Sequence, residues 1–261
     1  MRAILGMGVL LVGAGCAQPL APEFQAELAD QVVVVPPTPV KLVLVVSAAK
    51  TMSVSDPGNQ RAGALGALFD SLPPGSEVAP MLFSGSTLAI LTPSFLFEFV
   101  AIDALTSGDR FEMQNRMLNF RPPGTIPPVM EFTKPLRDAK RLIEFDVQNR
   151  GSNGARYEVI FLADGAPEVD QDDELLCADA VTSLIQFAVV NTVFLNQAAV
   201  APCGDPIVEG ICSVGPAPSG CAGSVMAAAE ARLKRMAMLG RGNFVSVREG
   251  ATLDYASLLI H

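Results

Sequence analysis

One histidine, no tryptophan and two tyrosines are all that the 261 residues carry of those three types. The histidine is His261, the last residue, so there is no internal imidazole for general base work, for a nucleophile and histidine pair or for zinc ligation. Charge is scarce too: 17% of residues are charged, and the formal net charge is -9. The 18 basic residues form no cluster or stripe, which makes nucleic acid and anionic lipid surfaces poor partner candidates. No glycine-rich phosphate cradle is present, and the apolar run at the start falls short of the about 20 residues that a spanning helix needs. The chain is therefore read as non-catalytic, with only a pair of carboxylates in one cleft left open as enzyme chemistry.

Apolar residues, by contrast, make up half of the chain, and mean hydropathy is +0.38. That is material for a sheet buried on both faces. The first stretch of it has another use. Arg2 precedes an uncharged run from Ala3 to Gly15, which leads into Cys16, Ala17 and Gln18, the order of a secretory signal ending at a small-small-Cys processing site. Leu11-Val12-Gly13-Ala14-Gly15-Cys16 resembles the lipobox of bacterial lipoproteins. The resemblance implies cleavage before Cys16 and diacylglycerol on its sulfur, tethering the chain without spanning the membrane. With Ala17 following, it further implies an outer-membrane lipoprotein of the bacterial cell envelope; an ordinary signal and a secreted chain is the alternative. Residues 1–16 are then signal, residues 17–39 a Pro-containing linker ending in Pro36-Pro37-Thr38-Pro39, and residues 40–258 the domain. Val32 to Val35 is a candidate edge strand within the linker.

From Lys41 the pattern changes to strands and helices in alternation. Leu42 to Val46 is a continuous β-branched run suited to a central parallel strand. Asp56-Pro57 reads as an N-cap and first helical residue, ahead of Leu65, Leu68, Phe69 and Leu72 at helical spacing. Glu77–Phe83 and Thr87–Leu91 flank Ser84-Gly85-Ser86 as a hairpin. Helices are expected near 109–119, 128–145, 173–186 and 223–239, and strands near 157–162, 189–195 and 244–247, while Phe95 to Leu105 is ambiguous. The alternation predicts an α/β domain: three layers, doubly wound, a mostly parallel central sheet with one antiparallel edge strand, Rossmann-like. In such sheets ligands bind beyond the carboxyl ends of the strands where strand order reverses. If the 41–46 and 157–162 strands are neighbours there, Ser47 to Met52 meets Asp164.

Those residues are similar to a known pattern. Val45-Val46-Ser47-Ala48-Ala49-Lys50-Thr51 resembles the first motif of von Willebrand factor type A domains, an Asp-x-Ser-x-Ser that helps to hold magnesium. Gly124-Thr125 resembles the loop that supplies a Thr ligand, and Ile160-Phe161-Leu162-Ala163-Asp164-Gly165 the later strand ending in Asp-Gly. The resemblance implies this fold, a metal-ion-dependent adhesion site and a protein partner. Mapped by position, Ser47 stands for the Asp, Ala49 for the first Ser and Thr51 for the second, while Thr125 and Asp164 match. Ala49 removes an oxygen and Ser47 replaces an anion, so Ser47, Thr51, Thr125 and Asp164 make a weak or lost magnesium site, because magnesium wants octahedral oxygens and one or two carboxylates. Structural roles stay open beside this: Asp164 as a turn residue, Ser47 and Thr51 as local caps.

With Cys16 taken by lipid, Cys177, Cys203, Cys212 and Cys221 remain, an even number in an oxidising compartment. Two disulfides are expected, with Cys212–Cys221 and Cys177–Cys203 the favoured pairing of three, pinning the Gly- and Pro-rich loop from Asn196 to Cys221. A four-thiolate zinc site is the alternative, though the paired Cys-x-x-Cys spacing is missing. Glu168, Asp170, Asp172, Asp173 and Glu174 read as residues facing the positive end of the next helix rather than as a calcium loop. These features point to a lipid-tethered envelope module that binds or scaffolds a protein partner near the C-terminal edge of its sheet. The other reading is a metal-dependent adhesion domain using Thr51, Thr125 and Asp164.

Overall fold

Aliphatic residues run unbroken through the central strands because both faces of the sheet are covered. In the computed structural model, which describes residues 37–49, 51–85, 87–120, 131–165, 174–197 and 224–259, strand β1 (Val40–Ser47) is buried along its whole length. Val43 and Val45 face one layer of helices, while Leu42, Leu44 and Val46 face the other. The chain divides into two units, Met1–Pro36 and Pro37–His261; Cys16 and the Val32 to Val35 segment belong to the first, outside the described residues.

After β1 come a single helical turn α1 (Met52–Ser55), helix α2 (Gln60–Ser71), β2 (Glu77–Ser84), β3 (Thr87–Ile90) and β4 (Val100–Ala101). Helices α3 (Ser107–Asn119) and α4 (Thr133–Asn149) follow, then β5 (Arg156–Ala163), α5 (Glu174–Leu184), β6 (Ala188–Leu195), α6 (Ser224–Leu239) and β7 (Arg241–Val247). The strand order is β3-β2-β1-β5-β6-β7. Strands β2, β1, β5, β6 and β7 are parallel, and the order reverses between β1 and β5, which pair from Val40↔Arg156 to Val46↔Leu162. The expected antiparallel edge is split in two, β3 pairing with the end of β2 and β4 with its start. Helices α4, α5 and α6 pack on one face, α2 and α3 on the other together with Leu253, Tyr255 and Leu258 of the C-terminal segment.

Three expectations are corrected. Asp56 does not begin a helix at Pro57: α2 starts at Gln60 behind Asn59 in a left-handed conformation, φ 54. The carboxyl of Asp56 nonetheless accepts the Gln60 and Arg61 amides at 2.7 and 3.3 Å, capping the helix from three residues further back. Phe95 to Leu105 is mostly loop, with two residues of strand and a turn of 3-10 helix, because Ser94 and Thr92 hydroxyls and the Thr92 carbonyl hold its backbone. Helix α4 ends at Asn149, four residues beyond the expected Phe145.

At the amino end of β1 the sheet buries a cation. Lys41 is 2% exposed; its Nζ meets Asp146 Oδ2 of α4 at 2.6 Å and lies over the Phe99 and Tyr157 rings, 5.9 and 5.6 Å from their centroids. The Tyr157 hydroxyl donates to the same Asp146 oxygen at 2.7 Å. An ion pair so enclosed ties α4 to the sheet's first strand.

Candidate functional site

Parallel pairing of β1 with β5 carries Ser47 and Asp164 to the same end of the sheet, one and two residues past the last paired positions, Val46 and Leu162. Asp164 is 1% exposed. The Ser47 hydroxyl donates to its Oδ1 at 3.4 Å, and the Thr51 hydroxyl bonds the same carboxyl. Ser55, which pattern matching by two-residue spacing did not single out, reaches Asp164 Oδ2 at 2.5 Å. Thr51 and Ser55 are four residues apart, so the one turn of α1 puts both on one face and lowers them onto the carboxyl. That turn is held to the sheet by Gln197, whose amide donates to the Ser55 carbonyl at 2.8 Å.

A second buried polar pair supports the floor of the crevice. Arg61 Nε meets Asp56 Oδ2 at 2.9 Å, and its other guanidinium arm donates to the Ser47 carbonyl at 2.9 Å. Arg61 thus bonds the last residue of β1. Ser84, at the end of β2, is a further polar residue that sequence reasoning missed: its hydroxyl is buried without a hydrogen-bond partner among the described residues. Ala49 keeps its methyl buried beside these groups, 7% exposed. Lys50 and Thr125 lie outside the described residues, as do Cys203, Cys212, Cys221 and the acidic stretch from Glu168 to Asp173.

Burial pushes the Asp164 carboxyl above the usual carboxylate range; hydrogen bonds from Ser55 and Thr51 and the Arg61 charge pull it part of the way back. The neighbouring hydroxyl has the same preference. Ser55 carries a single proton and faces two acceptors, the Thr51 carbonyl at 2.7 Å and Asp164 Oδ2; both contacts are satisfied when the carboxyl itself holds the second proton. An unfolded Asp gives up that proton near pH 4. The folded state then binds more protons than the unfolded one above that pH, so this group's contribution to stability falls as pH rises. Asp164→Asn keeps a donor at the same place and is expected to raise stability at neutral pH by about 1 kcal/mol, roughly 2–4 °C in Tm. The gain should vanish below about pH 4; melting curves across pH check it, and a variant less stable than wild type at pH 7 would refute the upward shift of Asp164.

These residues do not fit magnesium. The carboxyl is the one formal anion of the Ser47, Thr51 and Asp164 set, its oxygens are engaged by hydroxyls of the chain itself, and a guanidinium stands close enough to act on it. Among the described residues no group of three or more His, Cys, Asp or Glu is placed to hold a metal ion. Nor, among them, is any helix long and apolar enough to cross a membrane.

No family model and no curated relative matches the chain. Solved structures do. A von Willebrand factor type A protein from Catenulispora acidiphila aligns with a TM-score of 0.55 at 13% identity, covering 82% of this chain and 40% of that one. An aerotolerance-related membrane protein from Bacteroides fragilis aligns with a TM-score of 0.52 at 14% identity, covering 83% of this chain and 92% of that one. The chain thus spans less than half of the first structure's length. What is shared at such identities is the fold, and it is the von Willebrand factor type A fold.

Proposed function

We propose that this chain is a non-catalytic binding or scaffolding module of the cell envelope, carried on a membrane by lipid at Cys16, that holds a protein partner at the C-terminal edge of its sheet. The observation that carries this reading is the rim of that edge. Val54 on α1 and Leu175 at the start of α5 are 65 and 81% exposed, with Leu176 beside it at 47%. Large apolar side chains standing outward around a polar crevice suit a protein surface. The fold it shares with an aerotolerance-related membrane protein is compatible with such a location and is support from fold alone. Disulfides among Cys177, Cys203, Cys212 and Cys221 belong to the reading: Cys177 is wholly buried on α5, and its candidate partners lie in the loop outside the described residues.

Recognition here runs through side chains of the rim and not through a shared ion, since the Asp164 carboxyl is closed by Ser47, Thr51 and Ser55. The test is cross-linking in intact envelopes followed by recovery of the full chain. Val54→Arg and Leu175→Arg are expected to lose the cross-linked partner about tenfold or more, Asp164→Asn to keep it, and millimolar magnesium or a chelator to leave Tm unchanged. A Tm that rises with magnesium would favour the adhesion reading, because an ion bound only by the folded state adds stability. Cys16→Ser should move the chain from the membrane to the soluble fraction.

A further inference from the structure

The loop between β3 and β4 turns three consecutive large apolar side chains outward: Phe95, Leu96 and Phe97 are 65, 59 and 37% exposed. It is a rigid presentation. Phe95 sits at φ 57, a left-handed backbone that strains any residue carrying a Cβ. The strain is held by the Phe95 amide on the Thr92 carbonyl at 3.0 Å, the Thr92 hydroxyl on the Leu96 carbonyl at 2.8 Å and the Ser94 hydroxyl on Glu98 at 2.7 Å. Arg116 of α3 stacks over the Phe95 ring at 3.7 Å while donating to the Thr92 carbonyl at 2.9 Å.

Helix α4 continues this surface. Phe145, 65% exposed, joins Phe97, Leu142, Asp138 and Arg141 around a groove of about 390 Å³. Arg137, Arg141 and Phe145 are exposed at successive turns of the helix. The helix and its C-cap carry Lys134, Arg137, Lys140, Arg141 and Arg150 against Asp138, Glu144 and Asp146. Of these acids, Asp146 pairs with the buried Lys41 and with Arg150, Asp138 with Lys134 and Arg141, and Glu144 with Lys140, while Arg150 also meets Glu77 of β2. The helix and its C-cap thus carry five cations against three acids on a chain whose net charge is -9. These cations share one helix and its C-cap, and the fold sets Phe97 of the distant β3–β4 loop beside Phe145 of that helix.

Its position matters as much as its chemistry. Asp146, next to Phe145, holds Lys41, the second residue of β1, and Phe99 at the end of the loop lies over the same lysine. The surface therefore flanks the end of the sheet where the chain enters the domain, the end opposite Asp164. Cys16 lies 21 residues before Pro37, a reach of at most about 75 Å.

We propose that this surface docks on an anionic lipid bilayer, Phe95, Leu96, Phe97 and Phe145 entering the interfacial layer while Arg137 and Arg141 meet headgroup phosphates. The proposal rests on the reading of Cys16 as lipidated. Phenylalanine and leucine side chains suit the acyl side of the headgroup boundary, and arginine stems lie along it with the guanidinium among the headgroups. A tether makes the contact intramolecular, so a weak surface affinity suffices. Docked in this way, the crevice faces away from the bilayer.

The test uses the full chain with Cys16→Ser, which carries no lipid, and vesicles of phosphatidylethanolamine with phosphatidylglycerol or of phosphatidylcholine alone. Cosedimentation with the phosphatidylglycerol vesicles is expected, weakened about tenfold by the pair Phe95→Ser and Phe97→Ser and about tenfold by the pair Arg137→Glu and Arg141→Glu. The chain has no tryptophan, so Phe97→Trp supplies a single fluorophore whose emission should shift to the blue on those vesicles and stay put on phosphatidylcholine. This readout does not depend on whether the serine and glutamate variants fold. Unchanged emission, or equal sedimentation of wild type and both pairs at matched Tm, overturns the proposal, as does retention by a protein partner without retention by lipid. Membrane fractionation of the lipidated chain tests the tether separately. A chain found soluble there sinks the lipidation reading alone, and vesicles that fail beside a membrane-bound chain sink the docking surface alone.

Discussion

Asp56→Ala is expected to destabilise the domain by about 3–5 kcal/mol, because it leaves a buried guanidinium without its counter-charge. Asp56 and Arg61 are 1 and 7% exposed, so water cannot replace the lost partner. The same substitution removes the acceptor for the first two amides of α2, which adds about 1 kcal/mol. At roughly 2–4 °C per kcal/mol for a domain of this size, Tm should fall by about 8–24 °C. Since Arg61 also bonds the Ser47 carbonyl at 2.9 Å, the floor of the crevice should loosen with it. Pairing Asp56→Asn with Arg61→Met should cost less than Asp56→Ala by itself, and a double-mutant cycle reads this directly. Near-wild-type stability of Asp56→Ala would show that the pair does not hold the crevice.

Asp146→Ala should be comparably severe, about 3–5 kcal/mol by urea denaturation, with the cost again in the stranded partner. Lys41 would keep the Gly151 carbonyl at 3.1 Å and Glu77 at 3.9 Å, both poor substitutes for a carboxylate at 2.6 Å. Removing both charges, as Lys41→Met with Asp146→Leu, is expected to recover most of the loss, since Met fits between the Phe99 and Tyr157 rings. Phe145 stands beside Asp146, so the vesicle affinity of Asp146→Ala reports whether the docking surface needs that end of α4 in place.

The strands were legible because a sheet covered on both faces writes itself as runs of aliphatic residues: Leu42 to Val46 and Tyr157 to Leu162 fell within a residue or two of β1 and β5. Their adjacency was not legible in the runs themselves and stood as a condition; the pairing of β1 with β5 meets it and brings Ser47 to Asp164. Helix starts were less legible. Asp56 caps across three intervening residues, and local patterns assume that a cap adjoins its helix. Ser55 was missed because the metal motif counts in steps of two, as on an extended loop, whereas α1 counts in steps of four; Thr51 and Ser55 at that spacing were the available signal. Arg61 carried no signal at all, since its bond to Ser47 is set by how α2 lies on the sheet. The same holds for the basic aromatic surface: Phe95 to Phe97 and Arg137 to Phe145 are some 40 residues apart, and tertiary packing alone brings them together.

Strand β1 has a neighbour on one side that is 116 positions away, Val40 facing Arg156. During synthesis its outer row of amides and carbonyls stays unmatched until more than half of the polypeptide exists, and such a row is a template for other chains. Remote pairing of this kind also slows folding. A product cut short before Arg156 should therefore clump rather than form a smaller soluble body, and chaperones that shield apolar strands should matter most while the first 155 residues wait for the rest.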